Sequence, residues 1–466
     1  MSNSHSLPSI QSPPHSLRPS GIFPKLSATV RQVWQGKHGA AAMVQTFAVR
    51  ILILGINMLT GVLTARMLGA DGRGEVAAMM LWSQLLSYLL TLGLPASVVF
   101  NLKRYPKLRH QFFSSALLLA LGLGVVATAI GLVGLPYWLS HYSGETIYRA
   151  RVLMVLAPIS LITLVLVAFC EVEHDFTVAN QSKYLLPTVT LLALLVLAVT
   201  HHFTPITVSL AYMLPSVAIA GWLFRRISPK FQPPRLRWRS LQTSGSQLLG
   251  YGLRCYGIDL LKTLSNRLLG QALVIGLLSP ASMGFYAVAF SISRMLNLFE
   301  QAVISVLVSK TSARPVPEIV RLTSCAARIT TILTILCVVP LMLLCPFLLQ
   351  FLYGEEFLGA VPIFRWLLIE VTLSGTTWVL AQAFMAAGKP GIVTILQGLG
   401  VGLSIPLLLF FVPQYGLPGI GYALIISTSV RLLFVLFSYP FVLKQPVPSL
   451  ILGQQDIRLI RQQFSR

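Results

Sequence analysis

The sequence predicts an all-α polytopic membrane protein of about twelve transmembrane helices, set in two six-helix lobes related by a parallel pseudo-two-fold repeat. Three observations predict it. The 466 residues are 55% hydrophobic and only 10% charged, with a mean hydropathy of +0.76; soluble domains carry about 25% charged residues. Apolar stretches of roughly 20 residues, the length that crosses a bilayer, recur with short polar gaps, whereas a β-barrel would alternate over roughly ten. The basic residues then collect on one side of the resulting topology.

Residues 1–39 form a polar tail rich in Ser and Pro, expected to be disordered to about Pro24. Lys25–Lys37 reads either as a short basic helix on the membrane surface or as a plain linker. The first apolar run starts near Gly39 and is too long for the core of a cleavable signal. Spans are predicted at 40–67, 76–100, 112–135, 150–170, 184–202, 206–224, 247–278, 284–308, 325–350, 362–386, 391–412 and 419–443. They give an N-terminal lobe over 40–224, a basic linker over 225–246, a C-terminal lobe over 247–443 and a tail over 444–466.

With the N-terminus inside, 23 Lys and Arg fall in inside segments and three in or beside outside loops. That asymmetry predicts both termini in the cytoplasm. It also accounts for the net charge of +22 without a nucleic-acid partner. The five cysteines form no CxxC pair and read as small apolar core residues.

Six spans per lobe give both lobes one orientation, the parallel kind of repeat. LGADGRGEVAA (68–78) aligns with LSPASMGFYAV (278–288) at an offset of 210, placing Gly74 on Gly284. The same offset puts Gly144, Glu145 and Ala150 on Gly354, Glu355 and Ala360. GADGRGE reads as a tight turn, because no Walker lysine follows it. EVEHD (171–175) reads as a solvated acidic loop in preference to a metal site.

The most informative stretch is Arg254–Leu278. It is apolar enough to cross a bilayer, yet it carries Arg254, Asp259, Lys262 and Arg267. A charge at the bilayer centre costs roughly 2.5–3.5 kcal/mol, so such residues face a bundle interior or a wet cavity. The helix is therefore read as lining a transport path. Structural ion pairs, or charges that snorkel to the interface, are the alternative, above all for Arg254 near the helix start. Asp259, Lys262 and Asn266 share a face, and Asp259 and Lys262 can pair at i, i+3. Arg267 is then left without a local partner.

In the first span Thr46, Arg50, Asn57, Gly61 and Thr64 form a polar stripe, taking about 100° per residue; Arg50 favours a cavity for it. Gln84, Ser87, Tyr88 and Thr91 in the second span read as helix packing. Arg294, Asn297 and Gln301 share a face of the eighth span, with Glu300 on its flank. Arg365, Glu370 and Arg431 are expected to pair with one another or to snorkel.

LTARMLGADGRGEVAAMMLWSQLLSYLLTLGLPASVV (63–99), GLLSPASMGFYAVAFSISRM (276–295), FLYGEEFLGAVPIFRWLLIEV (351–371) and LAQAFMAAGKP (380–390) resemble the bacterial polysaccharide-transport proteins. These include the O-antigen and exopolysaccharide flippases of the multidrug/oligosaccharidyl-lipid/polysaccharide exporter superfamily. The resemblance covers about residues 40–443. It implies a non-enzymatic flippase of the bacterial plasma membrane, moving an oligosaccharide on a polyprenyl pyrophosphate by alternating access. Membrane lipids and this lipid-linked glycan are its implied partners, with polysaccharide polymerase or export machinery as further candidates. Arg50, Arg254, Lys262, Arg267 and Arg294 would hold the pyrophosphate, since guanidinium groups suit phosphate oxygens. Asn57, Asn266 and Asn297 would contact sugars, whose hydroxyls need partners away from water. Asp259 and Glu300 are the candidates for coupling to H+ or Na+; no other cofactor and no metal is implied. Family members often carry an Asp in the seventh span before an LLLGLL-like run; here the segment is LGQALVIGLL, with Gln271 near that place.

A drug or metabolite exporter of the same superfamily is the alternative. Nine span cations against Asp259, Glu300 and Glu370 disfavour cationic drugs. A non-transporting scaffold or a glycan polymerase ranks lower, because the longest outside loop is about fourteen residues.

Overall fold

The computed structural model describes residues 39–173, 176–230, 238–264, 269–311 and 314–450, and structural statements below concern those residues. The chain divides into two units, Met1–Leu52 and Ile53–Arg466. Fifteen α-helices are described and no strand. They are α1 (Gly39–Leu89), α2 (Leu94–Arg104), α3 (Arg109–Trp138), α4 (Gly144–Leu153), α5 (Ala157–Val172), α6 (Phe176–Val199), α7 (Pro205–Ile227) and α8 (Trp238–Thr263). Then follow α9 (Leu269–Leu277), α10 (Pro280–Ser293), α11 (Asn297–Thr311), α12 (Val316–Tyr353), α13 (Val361–Ala386), α14 (Gly391–Tyr415) and α15 (Leu417–Ser438).

Nine helical runs among the described residues are long and apolar enough to cross a membrane. The first, Arg50–Arg104, holds two of the predicted crossings, and the fifth prediction matches the shorter apolar helix Tyr184–Val199. The seventh prediction, over 247–278, is met by α8 and α9 on either side, and its residues 265–268 lie outside the described residues. About twelve crossings follow.

The expected turn over 69–75 is corrected. The helix breaks only at Gly69 (φ 68°, ψ −174°) and is helical again from Ala70. A positive φ suits glycine. The new helix start is capped from far along the chain, because the Ala70 N–H donates to Glu356 Oε1 at 2.8 Å. A carboxylate there also complements the positive helix end. On the other side of the break, Arg66 Nε donates to the Leu352 carbonyl at 2.8 Å and Nη2 donates to the Phe351 carbonyl, near the end of α12. Each strand of this junction therefore caps a helix of the other.

The second predicted span is discontinuous. After α1 the chain turns through Leu92 (φ 46°) and Gly93 (φ 70°) before α2 begins. A Cβ on Gly93 would lie 2.3 Å from the Gly252 carbonyl oxygen, so α2 meets α8 backbone to backbone. Ser97 Oγ donates to the Leu248 carbonyl at 2.6 Å, and the Tyr256 hydroxyl donates to the Leu89 carbonyl. α8 also packs on α3, whereas α9 packs on α10 and α14.

The repeat read from the sequence has a contact at its centre. A Cβ on Gly74 would stand 1.8 Å from the Pro280 carbonyl oxygen, and one on Gly284 would stand 2.0 Å from that of Ala70. At an offset of 210, Ala70 maps to Pro280 and Gly74 to Gly284. The same contact is therefore made twice, as a two-fold relation requires. Around this seam a buried cluster joins Met79, Tyr286, Phe357 and Phe364. Separate clusters hold Phe112, Leu161 and Phe169 together, and Leu380, Phe384 and Tyr439.

A central cavity and a buried charge cluster

Below the seam lies a cavity of about 230 Å³ walled by α1, α7, α9 and α10. Its polar groups are Arg73, Gln84, Tyr212, Gln271 and Ser291; the rest of the wall is apolar. Arg73 comes from the first turn after the Gly69 break. Its Nε is buried with no hydrogen-bond partner, and no carboxylate pairs with it among the described residues. A guanidinium held this way offers donors and a positive charge to whatever anion enters. Gln84 and Gln271 add amide groups, and Tyr212 a hydroxyl, that can exchange hydrogen bonds with a polyhydroxylated ligand. On the connection between α3 and α4, burial pushes the Tyr142 phenol above its ordinary range, with the Glu75 and Asp71 carboxylates of α1 adding to it.

Sequence reasoning placed Arg73 in an outside loop and missed it as a cavity residue. The available signal was Asp71, an acid suited to a first helical turn; it marks a helix resuming early enough to carry Arg73 inward. The second-span stripe is not uniform. Gln84 and Tyr88 are exposed, whereas Ser87 is buried and donates to the Ser83 and Ala157 carbonyls. Gln271, at the position marked by the departure from the family pattern, stands in the cavity wall.

A second polar centre joins α10, α11, α13 and α15. The Arg294 guanidinium lies 2.8 Å from Glu370 Oε2, with the Glu370 side chain 3% exposed. Thr428 Oγ1 donates to Glu370 Oε1 at 3.1 Å, and Arg431 donates to Thr428 Oγ1 at 2.6 Å. Arg294 also lies over the Phe290 ring, 4.9 Å from its centroid. Arg294 Nε, Glu370 Oε2 and Arg431 Nε have no aligned hydrogen bond, so charge holds this group more than directional bonding. Glu300 approaches it across Gly375, where a Cβ would be 3.7 Å from Glu300 Oε2.

The other expected site residues are distributed as follows. Arg50 is exposed and belongs to the first unit. Asn57 is exposed on α1, while Thr64 is buried and spends its hydroxyl on the Thr60 and Gly61 carbonyls. Arg254 is exposed on α8. Asp259 and Lys262 belong to α8, with side chains outside the described residues, and Asn266 and Arg267 lie wholly outside them. Asn297 begins α11, half-buried. Arg294, expected as a phosphate ligand, is brought to Glu370 instead. Arg365 is exposed and donates to the Met342 carbonyl at 3.3 Å. In the acidic loop Glu173 pairs with Arg109.

The family profile described as "Polysaccharide biosynthesis protein" matches residues 63–362. No curated protein matches the chain in sequence. Among solved structures, an inward closed conformation of the lipid II flippase MurJ is similar, with TM-score 0.71, 16% identity and 88% of each chain covered. An inward-facing multidrug resistance transporter of the MATE family in the MOP superfamily gives 0.66 at 17% identity, covering 86% of this chain and 99% of its own. A MOP superfamily transporter from Pyrococcus furiosus, reported with a binding pocket of reverse polarity, gives 0.56 at 16% identity, covering 89% and 98%. At these identities the likeness is one of fold.

Proposed function

We propose a function from one premise: the chain belongs to the polysaccharide biosynthesis protein family, and within it acts as a flippase. Its cargo is an oligosaccharide on a polyprenyl pyrophosphate, carried across the bacterial plasma membrane by alternating access. The observation that carries this reading is the central cavity, where Arg73, with no carboxylate partner among the described residues, converges with Gln84, Tyr212 and Gln271. A cationic-drug site would want the opposite charge there.

Arg73 joins Arg254, Lys262 and Arg267 as pyrophosphate ligands, Arg50 of the first unit stays a candidate on the sequence reading alone, and Arg294 is engaged by Glu370. Asn57, Asn266 and Asn297 stay in the reading as sugar contacts. Asp259 and Glu300 stay as candidates for coupling to H+ or Na+. Both termini are placed in the cytoplasm on the strength of the basic loops. On that orientation the Gly74–Gly284 seam closes the outer side, and the substrate enters from within. An inside-negative potential favours outward movement of the anionic head by roughly 2.3 kcal/mol per charge per 100 mV.

The test is translocation in proteoliposomes of a fluorescent short-chain polyprenyl-pyrophosphate oligosaccharide, followed by its accessibility to an outside glycosidase. Charge-assisted hydrogen bonds contribute about 1.5–3 kcal/mol each. Arg73→Gln is therefore expected to slow transport by roughly ten- to hundredfold, with expression and insertion kept. Wild-type rates in a well-expressed Arg73→Gln protein would remove Arg73 from the site. Efflux of a soluble compound, with no movement of any lipid-linked sugar, would replace the flippase by an exporter.

A further inference from the structure

We propose a second anion site, away from the central cavity, at the basic end of α2. It is an open cleft walled by Phe100, Lys103, Arg104 and Tyr251, and it receives the diphosphate and first sugar of an isoprenoid-linked glycan before translocation. The identity of the ligand rests on the flippase reading; the site itself rests on geometry.

The cleft measures about 700 Å³ and is floored by Ala96 and Val99. The Phe100 and Tyr251 rings stack face to face, centroids 3.9 Å apart and planes 8° apart, so the aromatic wall is a stacked pair, one ring from α2 and one from α8, each with its outer face uncovered by the other. Lys103 and Arg104 are exposed on the same side, with no carboxylate partner among the described residues. Arg109, five residues further along the chain, is instead paired with Glu173. The Arg104 guanidinium lies 5.7 Å from the Phe100 centroid and 5.8 Å from that of Tyr105, which holds its charge beside the wall. The platform is fixed underneath by the Gly93–Gly252 approach and by the Ser97 bond to the Leu248 carbonyl.

Each part matches one part of such a ligand. Two adjacent cations suit a diphosphate, which presents two charged phosphoryl groups joined through one bridging oxygen. An aromatic face suits the apolar face of a sugar ring, which carries C–H groups between its hydroxyls. The apolar floor suits the first carbons of the isoprenoid. Lys103 and Arg104 also offset the negative end of the α2 dipole. That role requires only charge and assigns nothing to Phe100 and Tyr251, which gives the test its second arm.

The experiment uses the full chain in nanodiscs with a photoreactive short isoprenyl diphosphate bearing one sugar. Labelled peptides are mapped by mass spectrometry, and transport is titrated in proteoliposomes. Labelling of residues 94–104 is expected to fall at least tenfold in Lys103→Gln/Arg104→Gln and, separately, in Tyr251→Leu. The half-saturating substrate concentration is expected to rise about tenfold, with a smaller effect on maximal rate. Arg73→Gln, which leaves the cleft intact, is expected to label it as the wild type does while losing transport. Equal labelling in both cleft variants overturns the site. So does displacement of the probe by phosphatidylglycerol as readily as by unlabelled diphosphate, which would make the cleft an ordinary anionic-lipid contact. If the variants match a wild type that transports normally, the cleft falls and the flippase stands. A wild type that is labelled nowhere and moves no lipid-linked sugar overturns both.

Discussion

Gly74→Val and Gly284→Val are each expected to lose most transport and to leave the outer side of the protein open. A Cβ at either position would sit 1.8 or 2.0 Å from a backbone carbonyl oxygen across the seam. No rotamer relieves this, because Cβ is fixed by the backbone and the atom it meets is backbone too. Only separation of the two helices makes room, so the cost falls on the closed state. Overpacking typically costs about 1–3 kcal/mol; against rigid backbone the upper end applies, which is roughly a hundredfold in a two-state equilibrium. The two positions are related by the 210-residue offset, so the single variants should resemble each other. The double variant should add little, since a seam opened once is open for both. The check is labelling of Gln84→Cys by a membrane-impermeant maleimide from outside, with the five native cysteines replaced. Gln84 is exposed in the cavity wall, so an open seam makes it reactive. A Gly74→Val protein with ordinary transport and no added labelling would show that the seam is not an outer gate.

Glu370→Ala is expected to destabilise the fold more than any other single polar-to-apolar change in α13. Glu370 is 2% exposed, and its removal takes the ion-pair partner from the Arg294 charge, which still lies over the Phe290 ring. It also takes the acceptor from Thr428. Breaking a buried ion pair from one side costs about 3–5 kcal/mol, whereas replacing both partners by apolar groups of similar volume is often neutral. The double variant Arg294→Met/Glu370→Leu should therefore recover most of the loss. Thermal unfolding in detergent, with the folded fraction read by gel filtration, checks both. Equal melting of Glu370→Ala and wild type would show that water or another group already neutralises Arg294. The same cycle separates this cluster from the transport chemistry, because it reads stability rather than rate.

Much of the fold is legible in the amino-acid order. Composition and apolar stretches of bilayer length give the class and about twelve crossings, because burial of a helix in lipid depends on hydropathy summed over a local window. The repeat is legible too, and Gly74 and Gly284, aligned from short glycine-centred matches, turn out to touch each other's repeat at one seam. The site is legible only in part. Gln271, noted only as the departure from the family pattern, stands in the cavity wall, and Gln84, read as helix packing, is corrected to a cavity residue. Ser87, in the same stripe as Gln84, faces packed backbone instead.

What local pattern leaves open is the choice of partner across the fold. The helix resumes at Ala70, and so brings Arg73 into the cavity wall, because Glu356 caps it from 286 residues away. Arg294 is engaged by Glu370 because α10 and α13 are neighbours, a fact no periodicity encodes. The break at Leu92 and Gly93 is set by the Gly252 backbone coming within touching distance. Hydropathy and helical period are properties of neighbours along the chain, so sequence order settles them. Capping, pairing and close backbone approach depend on distances between segments far apart along it, and those exist only once the helices have packed.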